Sequence, residues 1–306
     1  MLPTREGSFR LFRFAGIDLY LHWSWFLVAA YVVFYRRSVY GSPMWNALEY
    51  LALFLIVMLH EFGHALACRQ VGGRADQIVL WPLGGVAYVD PPPRPGPTLW
   101  SIAAGPLVNV LLVPVFELLL MWSRAEGLRS SLPDFYTFLQ IARFINIILL
   151  VFNLLPIYPL DGGQIFQCLL WFVVGRARSL LIAAAIGMVG GVGLIGYALL
   201  TRSIWVLLLA VFMMMNCWSG LRYGLALGRA AKLPRRNGFS CPACHEAPRV
   251  GRYWTCSQCR NVIDIFETQG QCPFCGAQYS EILCPECGET NSLARWIRPS
   301  NAPPRM

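Results

Sequence analysis

The chain reads as a polytopic α-helical membrane protein of about six transmembrane helices, followed by a small metal-binding domain. Three observations lead there. Of 306 residues, 56% are apolar (AVILMFWYC) and only 13% charged, about half the ~25% charge of a soluble domain. Mean hydropathy is +0.50, and apolar runs near the ~20 residues that a bilayer demands recur up to about residue 221. Eight of the 11 cysteines fall between 241 and 287 as four CxxC pairs. The same numbers exclude intrinsic disorder, a collagen-like chain and a secreted disulfide miniprotein.

Spanning helices are expected at about 19–35, 46–69, 98–122, 138–160, 180–201 and 203–221. The first has no AxA-like cleavage site, and Tyr20, His22, Trp23 and Trp25 look like an interfacial belt, so it does not read as a removed signal peptide. His22 reads as part of that belt and not as a metal ligand. Pro91, Pro92, Pro93, Pro95 and Pro97 predict a stiff extended connector between the second and third spans. Gly187, Gly190, Gly191, Gly193 and Gly196 crowd the fifth span, where the plain reading is close helix packing. Residues 228–238 are a basic, Pro/Gly-broken linker, 239–290 the cysteine domain, and 291–306 a flexible tail.

The net charge of +9 lies wholly in residues 1–237, with 19 basic and 10 acidic residues; residues 238–306 hold six of each. In apolar sequence such an excess reads as positive-inside topology. With six spans and a cytoplasmic N-terminus, 13 Arg/Lys lie inside and five outside. Both termini are then cytoplasmic in a cell (inner) membrane, and the CxxC cysteines sit where thiolates persist.

The sharpest local signal is His60-Glu61-Phe62-Gly63-His64. On a helix, positions i and i+4 share a face, so both imidazoles can reach one zinc ion while Glu61 sits beside them to take a proton from zinc-bound water. Three titratable groups inside a spanning helix are costly, on the order of 2–3 kcal/mol each for charged side chains, so a functional role is the default. Hydrolytic zinc usually takes three protein ligands. The third candidate is Asp161, in Asn153-Leu-Leu-Pro156-Ile-Tyr-Pro159-Leu-Asp161-Gly162-Gly163, where two prolines break the helix and two glycines free the backbone.

HExxH together with NxxPxxPLDGG, both in apolar spans, resembles the site-2 protease family of intramembrane zinc metalloproteases, over roughly residues 10–225. The resemblance implies a three-helix catalytic core made by the second to fourth spans, so that 1–227 becomes a transmembrane metalloprotease domain. It makes His60, His64 and Asp161 the zinc ligands and Glu61 the general base. Gly105-Pro106 with Asn109 matches the family's GPxxN element, and Ile78–Val89, with Gly84-Gly85, its small membrane-embedded β-hairpin. The implied substrates are transmembrane or membrane-proximal helices of other proteins. The PDZ and CBS modules of many members have no counterpart, and the cysteine-rich segment stands in their place.

A helical peptide bond must unwind before water can attack it, and the edge of the 78–89 hairpin would hold the unwound strand. Asn109 and Asn153 are candidates for contacting substrate or the developing oxyanion. Arg143, Asn146 and Asn153 form one helical stripe that should face protein or water, with Glu117 a candidate partner for Arg143.

Cys241/Cys244 with Cys256/Cys259, and Cys272/Cys275 with Cys284/Cys287, are spaced 11 and 8 residues apart. Each foursome has the two-knuckle spacing of an all-cysteine zinc site. The segment resembles a double zinc ribbon, so the expected cofactors are one catalytic and two structural zinc ions. His245 is a weaker substitute ligand. Eight thiolates around two divalent ions leave this domain acidic, so a protein partner is expected and nucleic acid is not. Two rivals stand beside the intramembrane endopeptidase: a membrane metal carrier using the same ligands, for which Glu61 has no purpose, and a catalytically silent scaffold acting through its ribbons.

Overall fold

A computed structural model describes residues 7–35, 38–81 and 84–297. The chain divides into two units, one of the residues up to Leu225 without Pro92–Arg94, the other of Pro92–Arg94 together with the residues from Ala226 on.

The first unit opens with two strands, the second of which takes the start of the span expected at 19–35. β1 (Ser8–Phe14) and β2 (Ile17–His22) form a hairpin whose turn, Ala15-Gly16, has φ of 49° and 77° at its two residues. Such a two-residue positive-φ turn matches the twist of the strands it joins. In β2, Ile17, Leu19 and Leu21 are buried while Asp18 and Tyr20 are half-buried. This period-two pattern was hidden within an apolar run. Only 11 residues of the expected 19–35 span form helix α1 (Trp25–Tyr35), about 16 Å long against a ~30 Å hydrocarbon core. Among the described residues five helices are long and apolar enough to cross a membrane, one fewer than the six spans expected. The parity argument for the termini loses its footing with it.

Those five are α2 (Pro43–Gln70), α3 (Pro95–Ala125), α5 (Pro133–Asn153), α7 (Arg176–Thr201) and α8 (Ile204–Ala231); a single turn, α4 (Leu128–Ser131), precedes α5. α2 starts at Ser42, whose hydroxyl accepts from Met44 N, with Pro43 in the first turn. Its face of Phe62, Ala65 and Cys68 packs on the sheet residues Ile17, Leu19, Ile78 and Leu80, all buried. α2 and α3 approach closely because Gly63 has no side chain: a Cβ there would stand 2.7 Å from Ala104 O. Many apolar side chains on the other helix faces are bare, among them Leu118, Val189 and Leu200, as lipid-facing positions should be.

β3 (Arg74–Trp81) pairs in parallel with β2 and antiparallel with β4 (Gly84–Asp90), so the four-stranded sheet runs β1-β2-β3-β4 and β4 is an edge. Over Ile78–Val89, where a hairpin is expected, β3 and β4 pair antiparallel with Ile78 opposite Ala87; residues 82–83 lie outside the described residues. The proline connector is shorter than expected, because Pro95 already begins α3.

The fourth expected span, 138–160, ends as a helix at Asn153. Pro156 and Pro159 remove backbone donors there, and helix resumes as α6 (Asp161–Val174). Cβ atoms at Gly162 and Gly163 would run into the main chain of Leu154–Leu155 and Ile157–Tyr158, so only glycines let this segment fold back on itself.

In the second unit, β5 (Trp254–Thr255) pairs with β6 (Val262–Ile263), and β7 (Glu281–Leu283) with β8 (Thr290–Ser292). Ile265, Phe266, Ile282 and Trp296 fill its core together with cysteines. The flexible tail expected from 291 is therefore ordered as far as Ile297: Trp296 is fully buried and Phe239 bridges Ile297. The expected linker 228–238 is also engaged, since α8 runs to Ala231 and Arg236 pairs with Asp264.

Candidate active site

His60, Glu61 and His64 are all buried on α2. The HExxH spacing sets the two imidazoles on one face, with Nε2 atoms 3.1 Å apart. Asp161, the first residue of α6, brings its Oδ2 to 3.1 Å from His60 Nε2 and 3.4 Å from His64 Nε2. A gap of 97 residues in sequence is closed because the broken segment turns the chain back at the depth of the α2 histidines.

The far sides of both rings are occupied. His60 Nδ1 lies 2.6 Å from Asn109 Oδ1, and His64 Nδ1 2.9 Å from Ser101 O. Asn109 Nδ2 donates to Asn146 Oδ1 at 2.8 Å, and Asn146 Nδ2 donates to Asn109 O at 2.9 Å. That network makes Asn109 Oδ1 an acceptor, so each histidine donates through Nδ1 and keeps a bare lone pair on Nε2. Two imidazole lone pairs and a carboxylate oxygen then face one another within about 3 Å, and Asp161 Oδ2 is buried with no hydrogen-bond donor. Three acceptors that repel one another in a buried pocket fit a cation between them. Nitrogen and oxygen donors of this kind suit zinc.

Gly105 sits against the His64 ring, where a Cβ would collide with it. Glu61 Oε2 accepts from the N–H of Ala87 on β4 at 2.9 Å, and Gly85 on the same strand leaves room for the Glu61 carboxylate. The edge strand is thereby tied to the acid beside the metal ligands.

The two asparagines separate. Asn109 is fully buried behind His60 with its amide spent on His60 and Asn146, a placement that turns it away from any substrate. Asn153, at the end of α5, is half-buried, and its side chain makes no hydrogen bond among the described residues. Arg143 meets Glu117 at 2.8 Å, half-exposed and not buried. His22 stacks on Trp81, with ring centroids 3.9 Å apart, and does not join the group of His60, His64 and Asp161. Sequence reading missed Ser101 and the Ala87–Gly85 seat. Ser101 carried a signal, eight residues before Asn109 and so about two turns along the same face of α3.

The eight cysteines of the second unit form two groups, but not the expected ones. Cys241 and Cys244 meet Cys284 and Cys287, and Cys256 and Cys259 meet Cys272 and Cys275. The consecutive pairing is corrected to a nested one. Spacing identifies the knuckles but not which two share an ion. Phe239–Ser240 pairs with Trp296–Ile297 around a common aromatic core, which draws the first knuckle to the last. The closest Sγ···Sγ contacts are 3.5–3.8 Å, about the edge of a tetrahedron with Zn–S bonds of ~2.3 Å and far beyond a ~2.05 Å disulfide. Each CxxC is followed by a left-handed residue, His245, Arg260, Gly276 or Gly288, so His245 completes a turn instead of ligating. Cys259 N–H, together with the Tyr279 hydroxyl, draws the Cys256 thiol down to about 6, toward the thiolate that a metal needs.

Apolar helices around two histidines and a carboxylate, with a glutamate held by an adjoining edge strand, define a multi-pass type of membrane protein with a candidate metal site. The family model described as peptidase family M50 matches residues 49–133 and 128–196. A zinc metalloprotease of Methanocaldococcus jannaschii is 34% identical over 206 residues, covering 67% of this chain and 58% of the relative. A Synechocystis relative is 27% identical over 237 residues, covering 71% and 60%. The solved structure of the site-2 protease from Methanocaldococcus jannaschii matches with a TM-score of 0.50 at 28% identity, over 70% of this chain and 95% of that one. The chain belongs to peptidase family M50, of the site-2 protease type. It spans 58% and 60% of the length of the two curated relatives.

Proposed function

We propose that this chain is a zinc endopeptidase acting within the membrane on transmembrane or membrane-proximal helices of other proteins. The observation that carries the reading is the convergence of two Nε2 lone pairs and the orphaned Asp161 Oδ2 beside a Glu61 carboxylate tethered to an edge strand. A metal carrier needs the three ligands but not that tether.

His60, His64 and Asp161 would hold the zinc, with their Nδ1 partners Asn109 and Ser101 O keeping the lone pairs aimed. A zinc ion held there would supply the acidity for a bound water and the polarisation of the scissile carbonyl. Glu61 takes the proton from the attacking water and delivers it to the leaving amine nitrogen, as general base and then general acid. The edge strand β4 pairs with the unwound substrate and presents its backbone beside Glu61. Asn153, with its amide uncommitted, is the donor proposed for the developing oxyanion. The β3–β4 hairpin, alongside α2, lies at membrane depth in this reading.

The two cysteine groups would each hold a structural zinc, for three ions per chain. The need for thiolates supports a cytoplasmic cysteine domain at a cell membrane. A protein partner fits the ribbons better than nucleic acid, since Arg235, Arg236 and Arg249 are spent on Glu246, Asp264 and Glu286.

The test is Glu61→Gln in the full chain, reconstituted with a model transmembrane substrate. Cleavage is expected to fall by about 10²–10⁴ with three zinc ions retained, while Asp161→Ala loses one. Cleavage by Glu61→Gln at the wild-type rate would overturn the mechanism.

A further inference from the structure

We propose that Tyr158 is a positioning residue for the third metal ligand, and that α7 and α8 hold it in place by seating its main chain in a notch formed by Gly187, Cys217 and Gly220. The inference rests on the reading of Asp161 as a zinc ligand and adds what controls it.

The segment between α5 and α6 has given up helical hydrogen bonds, so its position must come from elsewhere. Cys217 Sγ on α8 donates to Tyr158 O at 2.9 Å. Gly187 on α7 lies over the same carbonyl, and a Cβ there would stand 2.5 Å from Tyr158 O and 2.6 Å from Cys217 Sγ. Gly220 on α8 receives the Tyr158 ring, with its added Cβ 2.9 Å from Cε1, and Gly190 receives the Ile157 side chain. On the other side, Gly163 of α6 is pressed against the Tyr158 amide. Tyr158 is thus held between the last two helices and the first turn of α6, and Asp161 begins that turn. The glycines of α7 are not equivalent: Gly193 and Gly196 have nothing within 4 Å. Close packing alone does not explain why Gly187 is bare.

Magnitude decides the consequence. A methyl at Gly187 demands a main-chain shift of about 0.5–1 Å to reach ordinary contact, whereas a metal–ligand distance tolerates about ±0.2 Å. The displacement must pass into Asp161 or be absorbed by spreading α7 from α8.

The test is zinc affinity of the full chain in detergent, by chelator titration with metals per chain counted by native mass spectrometry. Gly187→Ala is expected to weaken one of the three zinc ions about ten- to a hundredfold, the usual effect of losing ligand support. Gly193→Ala, on the same helix, is expected to stay within twofold. Gly220→Ala, whose methyl meets only a movable ring, is expected to weaken it less, and the pair Gly220→Ala/Tyr158→Leu to restore it, which general misfolding would not allow. Gly187→Ala added to Asp161→Ala is expected to cause no further loss. If Gly187→Ala matches Gly193→Ala while Asp161→Ala loses a metal, the seat is wrong and the zinc site stands. If Asp161→Ala loses nothing, the zinc reading itself is wrong.

Discussion

Asn109→Ala is the most revealing change outside the ligands. Asn109 is fully buried and takes the Nδ1 proton of His60 at 2.6 Å. Truncation leaves a buried N–H without a partner, at a cost of about 1–3 kcal/mol. His60 can escape that cost by moving its proton to Nε2, where Asp161 Oδ2 waits at 3.1 Å. The escape fills the lone pair that the metal needs. Both routes weaken zinc, and about 1.4–2.8 kcal/mol corresponds to ten- to a hundredfold in affinity. Asn109→Asp keeps an acceptor at Nδ1 while giving up the donation to Asn146, and is expected to bind zinc more tightly than Asn109→Ala. The assay is competition with a chromophoric chelator on the purified full chain, the two cysteine-bound ions serving as internal reference. Zinc affinity within twofold of wild type for Asn109→Ala, or equal loss for Asn109→Asp, would refute the tautomer argument.

Gly85→Val places carbon where the Glu61 carboxylate lies, and is expected to cut turnover at least a hundredfold while three zinc ions remain; turnover near wild type would show that the seat on β4 is unimportant. The nested pairing predicts that Cys244→Ser/Cys284→Ser costs one zinc and Cys244→Ser/Cys259→Ser costs two. Consecutive pairing predicts the reverse, so metal counts on the two variants decide between them. Removing residues 238–306 is expected to leave measurable cleavage in reconstituted vesicles; complete loss would move the activity's dependence into the ribbons.

The ligand set was readable because its signals are local and costly: HExxH needs only helical periodicity, and a carboxylate beside two prolines and two glycines in an apolar run has little structural use. The third ligand's approach to the first two depended on where the broken segment turns, which the prolines and glycines of 156–163 announce. What stayed hidden was of two kinds. Strand β2 lies in a run apolar enough to pass for a helix, and only the Ala15-Gly16 turn and the Asp18/Tyr20 alternation marked it. Pairings between distant segments left no mark: four identical CxxC knuckles admit three pairings, and the choice belongs to Trp296, beyond the expected domain end. Gly187 and Gly193 likewise look alike in sequence, and only the Tyr158 carbonyl tells them apart.

The central claim is that one ion lies among His60, His64 and Asp161. Anomalous scattering at the zinc edge from crystals of the full chain tests it directly, with the cysteine groups as built-in controls. The account predicts three peaks, one of them about 2.0–2.2 Å from both Nε2 atoms and Asp161 Oδ2. Two peaks at the cysteines and none at the histidines, in zinc-replete protein that cleaves substrate, would contradict it.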